Sequence, residues 1–73
     1  MSDKQLLKEA LIKKDIDTVI SLTGLSYEAA ADKCEEAASI EDYIMAYTRS
    51  GQDTSFFEEK LSNLVENLLT HSR

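Results

Sequence analysis

Residues 15–49 decide the fold of this chain, and they read DIDTVISLTGLSYEAAADKCEEAASIEDYIMAYTR. Apolar and small side chains recur in them at the spacing i, i+3, i+4, i+7, which is typical of one face of an α-helix. Three sets have this spacing: Ile16, Val19, Ile20 and Thr23; Tyr27, Ala30, Ala31 and Cys34; and Ile40, Tyr43, Ile44 and Tyr47. Three such faces predict three short helices that converge on one small core.

The residues between these segments favour helix ends. Gly24 follows the last periodic residue of the first segment, where a left-handed residue commonly ends a helix, and Ser26 can cap the next one. Ser39 is predicted to begin the third helix, because Asp42 completes a capping box, and Gly51 is predicted to end it. We therefore expect a positive φ at Gly24 and helix boundaries at Ser39 and Gly51.

One further helix is predicted on each side. Ser2 and Gln5 fit a capping box, so a first helix is expected over about residues 3–12; either Asp15 then caps a new helix or a single helix continues to residue 22.

After a loop-like stretch at residues 51–54, Ser55 with Glu58 offers a capping box for a last helix over residues 55–69. Its apolar stripe contains Phe57, Leu61, Leu64, Val65 and Leu68, widened by Phe56 and Leu69. We expect this helix to fold back onto the bundle, because a large exposed apolar stripe is unusual in a monomer. Homodimerisation through the segment from Ser55 to Leu69 is the alternative.

Length and cysteine content bound the class of protein. A chain of 73 residues accommodates one domain, and a single cysteine excludes an internal disulfide, which favours a reducing, cytoplasmic compartment. We expect an all-α domain of four or five short helices: an amino-terminal helix in residues 1–14, a three-helix core in residues 15–51 and an amphipathic helix in residues 52–73. The residues expected to be buried are Ile16, Val19, Ile20, Ala30, Cys34, Ile40, Tyr43 and Ile44.

Negative charge is concentrated in the middle of the chain. The formal net charge is −6, and residues 15–42 carry eight acidic residues against Lys33 alone. Such a field repels phosphate backbones and attracts basic surfaces, so it disfavours nucleic acid as a partner. The same charge also helps to keep a small protein soluble. No segment approaches membrane-spanning length, and no membrane partner is expected.

No pattern in the sequence indicates catalysis or a metal site. Cys34 lies on the predicted core face and His71 lies near the end of the chain, so these two residues are not expected to pair. Asp15 and Asp17 begin like a calcium loop, but Ile20 occupies the position that requires glycine. One cysteine and one histidine are too few for a zinc site. We therefore expect no enzyme activity, no cofactor and no metal.

Several residues match a known type of small helical domain. Thr23-Gly24-Leu25 stands where ubiquitin-associated (UBA) domains have a Met-Gly-Phe-like loop. Ala30 and Cys34 occupy small or apolar positions of the second helix, and the set from Ile40 to Tyr47 matches the apolar third helix. Residues 15–51 thus resemble the UBA type of three-helix domain, including the amino-terminal module of bacterial elongation factor Ts. Ala37-Ala38-Ser39 replaces the Gly-Asn or Gly-Asp turn common before the third helix of that type.

The resemblance implies protein binding. In UBA domains the glycine loop and the end of the third helix often form an apolar patch for ubiquitin, and the matching positions here are Gly24, Leu25, Ile44 and Tyr47. The same side chains also suit ordinary core packing and helix capping. We therefore predict a non-enzymatic protein-interaction module that binds its partner through an apolar patch.

Two alternatives remain open. An acidic helical protein could regulate or inhibit a nucleic-acid enzyme by occupying the site of a basic partner, as small phage-encoded inhibitors do. A helix-turn-helix DNA-binding motif is the other, with helices over residues 26–34 and 39–49. Its recognition helix would open with Glu41 and Asp42 and would offer only Arg49 to phosphates or base edges.

Overall fold

The computed structural model describes residues 2–71, and of His71 it describes the backbone alone. These residues form four helices and no strand: α1 (Asp3–Lys13), α2 (Ile16–Thr23), α3 (Tyr27–Arg49) and α4 (Ser55–His71). The protein is therefore a small all-α bundle, as the apolar periodicity predicted.

The break between α1 and α2 is made by a non-glycine residue. Lys14 adopts a left-handed conformation with φ 59°. The Lys14 N–H donates to the Leu11 carbonyl at 3.2 Å and the Asp15 N–H donates to the Ala10 carbonyl at 2.8 Å, which is the Schellman pattern. Residues 3–22 are therefore two helices and not one.

The predicted caps of the first three helices are confirmed. Ser2 Oγ accepts from the Gln5 N–H at 3.2 Å, and Ser26 Oγ accepts from the Ala29 N–H at 3.2 Å. The Asp15 carboxylate opens α2 by accepting from the Thr18 N–H at 3.4 Å and from the Thr18 hydroxyl at 2.7 Å. These bonds satisfy backbone donors that the first turn of a helix leaves free.

Gly24 ends α2 with φ 75°, which confirms the predicted positive φ. Its N–H donates to the Ile20 carbonyl at 2.8 Å, as expected for a left-handed helix end. The Thr23 hydroxyl donates to the Val19 carbonyl at 2.7 Å and accepts from the Leu25 N–H at 3.3 Å, so this buried polar side chain fixes the loop.

α3 is one helix from Tyr27 to Arg49, so the predicted helix boundary at Ser39 is wrong. Neither glycine nor proline occurs between residues 24 and 51, and Ala37 and Ala38 are of the residue type that favours helix most strongly. Ser39 lies in the middle of α3, far from either end, and is exposed. Residues 15–51 therefore form two helices, where the sequence pattern had predicted three.

The core lies where the four helices meet. Of the residues predicted to be buried, Val19, Ala30, Cys34 and Ile40 are buried. The isoleucines at 16, 20 and 44 are half-buried and pack against this core. Leu7 and Leu11 of α1 are also fully buried, although the predicted core omitted them. The small residues on the inner face of α3 give α1 room to pack close to it.

Tyr43 was predicted to be buried, and this prediction is wrong because its side chain is 55% exposed. The prediction assumed a separate third helix whose stripe filled the core. In the continuous α3, Tyr43 lies at the edge of the bundle, where its ring stacks on that of Phe57.

α4 folds back onto the other helices, as expected. Leu61, Val65 and Leu68 are part of the buried core. Lys4 Nζ of α1 lies 2.8 Å from Glu66 Oε1 of α4, which joins the two ends of the described chain at the surface. The stripe of α4 is therefore mostly used inside the bundle.

α4 starts at Ser55, as in the predicted range 55–69, but Ser55 is the first residue of the helix and not its cap. The Glu58 N–H donates to the Thr54 carbonyl at 3.0 Å, which places the boundary at Thr54. The Thr54 hydroxyl donates to Glu58 Oε2 at 2.8 Å, so the side chain of Glu58 pairs with Thr54 and not with Ser55.

Candidate protein-binding surface

The four residues predicted to bind a partner lie at two separate places. Gly24 and Leu25 precede the first turn of α3, whereas Ile44 and Tyr47 lie in its last two turns. A helix rises about 1.5 Å per residue, which puts Leu25 and Tyr47 roughly 30 Å apart. The structure therefore brings Ile44 and Tyr47 together and separates both from the glycine loop.

The cause of this separation is the continuity of α3. A single patch would need the chain to turn back near Ser39, and no turn is present there. Leu25 and Ile44 are both half-buried and pack against the core. Gly24 is accounted for by the left-handed end of α2.

A cluster of aromatic rings lies where the end of α3 faces the start of α4. We call Tyr43, Tyr47, Phe56 and Phe57 the aromatic patch. The Tyr43 and Phe57 rings are stacked, with centroids 5.3 Å apart and planes at 8°. Tyr47 and Phe56 both meet Phe57 edge-on, at 4.9 Å and 69° and at 5.3 Å and 83°. Phe57 is thus the centre of the aromatic patch.

The turn after α3 positions these rings. Gly51 has φ 73°, its N–H donates to the Thr48 carbonyl at 3.1 Å, and the Gln52 N–H donates to the Tyr47 carbonyl at 2.9 Å. This second Schellman pattern reverses the chain directly after the tyrosines. An added Cβ at Gly51 would meet no atom within 4 Å, so glycine is required by the backbone conformation and not by space.

The first residues of α4 are held by Asp53. Its Oδ1 accepts from the Ser55 N–H at 3.0 Å and from the Ser55 hydroxyl at 2.7 Å. These two hydrogen bonds lower the pKa of the Asp53 carboxyl. They therefore fix the backbone just before Phe56 and Phe57.

The aromatic patch leaves much of its surface in water. Phe56 is 69% exposed and Tyr43 is 55% exposed, while Tyr47 and Phe57 are half-buried. Each ring contact of this kind stabilises the arrangement by about 0.5–1.5 kcal/mol. The contacts therefore order the rings but leave their outer faces exposed to solvent. Adjacent exposed aromatic side chains are a common mark of interaction sites.

Two open concavities flank the aromatic patch. One is lined by Ser39, Asp42, Tyr43 and Ala46 of α3, and the other by Phe56, Glu59, Lys60 and Asn63 of α4. Each has one aromatic wall and at least one charged group.

The residues considered for chemistry in the sequence do not form a site in the described part of the chain. Cys34 is 1% exposed, and burial raises the pKa of its thiol. The side chain of His71 lies outside the described residues. Among the described side chains, those of residues 2–70, no group of three histidine, cysteine, aspartate or glutamate residues could hold a metal ion.

The chain matches no protein-family profile, no curated protein and no solved structure. The resemblance to UBA domains therefore stays a hypothesis. None of the four helices in residues 2–71 has the length and apolar character needed to cross a bilayer.

Sequence reasoning missed the aromatic patch as a surface, although it named all four rings. Tyr43 and Tyr47 were assigned to the third predicted helix, and Phe56 and Phe57 to the stripe of the last one. One feature of the sequence could have indicated it. The apolar stripe of the last helix is wider than a core of this size needs, and Phe56 adds to that width. Only the α3–α4 packing shows that Phe56 and Tyr43 are both exposed and that both rings contact Phe57.

Proposed function

We propose that the protein is a small non-enzymatic interaction module that binds another protein through the aromatic patch. The supporting observation is that Phe56 and Tyr43 are both more than half exposed and are linked through the ring of Phe57. Aromatic residues are enriched in protein interfaces, because they bury much apolar area at low cost in side-chain entropy. Rigid rings that are already ordered lower that cost further.

The resemblance to UBA domains supports the same class of function. Ile44 and Tyr47, two of the four positions matched to the ubiquitin patch, belong to the end of α3 that carries the aromatic patch. Gly24 and Leu25 belong to the other end. Ubiquitin is therefore one candidate partner for the aromatic patch, without a contribution from the glycine loop.

Charge favours a second candidate function, an acidic regulator or inhibitor of a nucleic-acid enzyme. Residues 15–42 hold eight acidic residues and one lysine, which suits a basic partner surface. The helix-turn-helix alternative is not supported, because residues 35–38 are helical where that motif needs a turn.

Affinity capture from the native cell extract tests the proposal when wild type is compared with Phe56→Ser. The matched control is Met45→Ser, because Met45 is a 48% exposed apolar residue two positions from Tyr43 and points away from it. We expect a protein that co-purifies with wild type and Met45→Ser and is lost with Phe56→Ser. The same proteins captured by all three baits would contradict the aromatic patch as the binding surface.

A further inference from the structure

The outer face of α3 carries a row of carboxylates that ends at the aromatic patch. The residues on this face are all exposed and follow the spacing 4, 3, 4, 3, 4 along the helix. They are Glu28, Asp32, Glu35, Ser39, Asp42 and Ala46. We call the four acidic members the acidic stripe, and from its first to its last residue it runs about 21 Å.

The acidic stripe has no salt bridge within the described residues. The two ion pairs found there join Lys4 to Glu66 and Lys33 to Glu36. Neither pair uses a carboxylate of the stripe. Four unpaired carboxylates along one helix repel one another, and a cationic surface laid over them would relieve that repulsion.

The acidic stripe and the aromatic patch form one continuous surface. Asp42, the last acid of the stripe, lines the same concavity as Tyr43, and Tyr43 stacks on Phe57. Ser39 and Ala46, the two small residues of this face, complete that concavity. The surface is thus acidic from Glu28 to Asp42 and aromatic at the carboxyl end of α3.

We infer that this surface binds an amphipathic helix of a partner protein that is rich in lysine and arginine. The inference rests on the proposed function and adds the chemistry of the partner. The apolar residues of that helix contact Tyr43, Phe56 and Phe57, and its basic residues lie over the acidic stripe. A helix suits the site because α3 is unbroken from Tyr27 to Arg49, so a second helix can lie along its outer face.

A second copy of this chain offers no such helix. The lysine-rich segment is α1, and its apolar residues Leu7, Ala10 and Leu11 are already buried in the core. No other helix in residues 2–71 is rich in lysine, so the basic amphipathic helix is assigned to a partner protein. Phosphate backbones are repelled by the acidic stripe, so nucleic acid does not fit this surface.

Synthetic peptides of about 18 residues, long enough to span the surface, test the inference. The first is a lysine-rich amphipathic helix with one tryptophan on its apolar face. The second replaces its lysines with glutamates, and the third keeps its composition but scatters the apolar residues around the helix. The protein has no tryptophan, so tryptophan fluorescence reports the peptide alone. We expect the first peptide to bind at least tenfold more tightly than the other two, and more weakly as salt is added.

Variants of the protein separate the two halves of the surface. Phe56→Ser should weaken binding of the first peptide at least tenfold. The double variant Asp32→Asn/Glu35→Gln should weaken it about fivefold, at about two- to threefold per exposed charge. The control Asp3→Asn/Asp17→Asn removes the same charge from exposed positions outside the acidic stripe and should change affinity less than twofold.

Several results would overturn the inference. Equal binding of the acidic peptide would remove the role of the acidic stripe, and equal binding of the scattered peptide would remove the role of the aromatic patch. Binding of no peptide, or a concentration-dependent dimer in sedimentation equilibrium that is lost in Phe56→Ser, would also overturn it. The proposed function is judged separately, because the capture comparison uses native proteins whatever the charge of their binding segment.

Discussion

Lys14 has a backbone conformation that is unfavourable for a residue with a Cβ. It is the only non-glycine residue with a positive φ among residues 2–71, and its left-handed conformation ends α1. A side chain with a Cβ disfavours this conformation by about 1–2 kcal/mol. The helix end nevertheless forms there, because the apolar faces of α1 and α2 must both turn toward the core.

Lys14 and Gly24 both have a left-handed backbone conformation, and the substitutions Lys14→Gly and Gly24→Ala should change the free energy of unfolding in opposite directions. We expect Lys14→Gly to raise the free energy of unfolding by up to about 1 kcal/mol, because glycine adopts this φ without strain. Gly24→Ala should lower it by about 1 kcal/mol, because φ there is 75°. Urea unfolding of both variants measures the two changes, and a loss of stability in Lys14→Gly would show that the conformation at Lys14 is not strained.

Cys34 is predicted to be unreactive in the folded protein. Burial raises the pKa of its thiol, the Lys14 charge lowers it and the Asp15 charge raises it, so less thiolate is present at a given pH than in the unfolded chain. Labelling by a thiol reagent at about pH 8 should therefore be much slower in buffer than in denaturant. Cys34→Ser should cost about 1–2 kcal/mol, because it places a hydroxyl among apolar groups. Rapid and complete labelling of the native protein would contradict both expectations.

The residue-level features that sequence predicted are local. Ser2, Asp15 and Ser26 act as caps because each capping bond spans three residues and needs no tertiary partner. Sequence did not decide whether a helix ends at Lys14. The left-handed conformation there is imposed by the packing of two helices, and a lysine does not indicate it locally. Tyr43 was placed in the core because the prediction assumed a separate third helix, whereas in the continuous α3 it lies at the edge of the bundle.

At the scale of elements, α3 shows how a local signal is overridden. Ser39 and Asp42 have the spacing of a capping box, but a helix of 23 residues runs through them. The alanines before Ser39 favour helix, and a break there would have removed the continuous inner face formed by Ala30, Cys34, Ala37 and Ile40. The prediction of three helices in residues 15–51 is therefore wrong at Ser39.

Two serine variants distinguish a cap from a helix-interior residue. Ser39→Ala should raise the free energy of unfolding by about 0.5 kcal/mol or less, because alanine has the higher helix propensity. Ser26→Ala should lower it by about 1 kcal/mol, because it removes the side-chain oxygen that accepts from the Ala29 N–H. Thermal unfolding followed by circular dichroism measures both. A comparable loss of stability in Ser39→Ala would mean that a helix starts at that serine.

α4 divides its apolar residues between the core and the surface. Leu61→Ala should cost about 2–4 kcal/mol, because Leu61 is 1% exposed. Phe56→Ser should cost only about 0.5–1.5 kcal/mol, because Phe56 is largely exposed and the change removes one ring contact, the one with Phe57. Urea unfolding of the pair tests this division. A large loss of stability in Phe56→Ser would make Phe56 a structural residue and weaken its assignment to a binding surface.

At the scale of the whole molecule, the length of α3 determines which residues can act together. The molecule measures 38 × 19 × 19 Å, and a helix of 23 residues spans most of the long dimension. The glycine loop and the aromatic patch therefore lie near opposite ends. Sequence correctly predicted an all-α bundle of four or five helices. It also placed Gly24, Leu25, Ile44 and Tyr47 on one patch. That grouping requires a turn near Ser39, and the chain makes no turn there.

The continuity of α3 separates Gly24 and Leu25 from the aromatic patch and exposes the acidic stripe along one face. Spin labels at Glu28→Cys and Thr48→Cys, in a Cys34→Ala background, place one probe on an exposed site at each end of the helix. Pulsed electron paramagnetic resonance should give one narrow distance of about 30 Å, from a rise of about 1.5 Å per residue. A main distance of about 20 Å or less would mean that the chain turns back near Ser39 as in a three-helix core, and it would contradict this account.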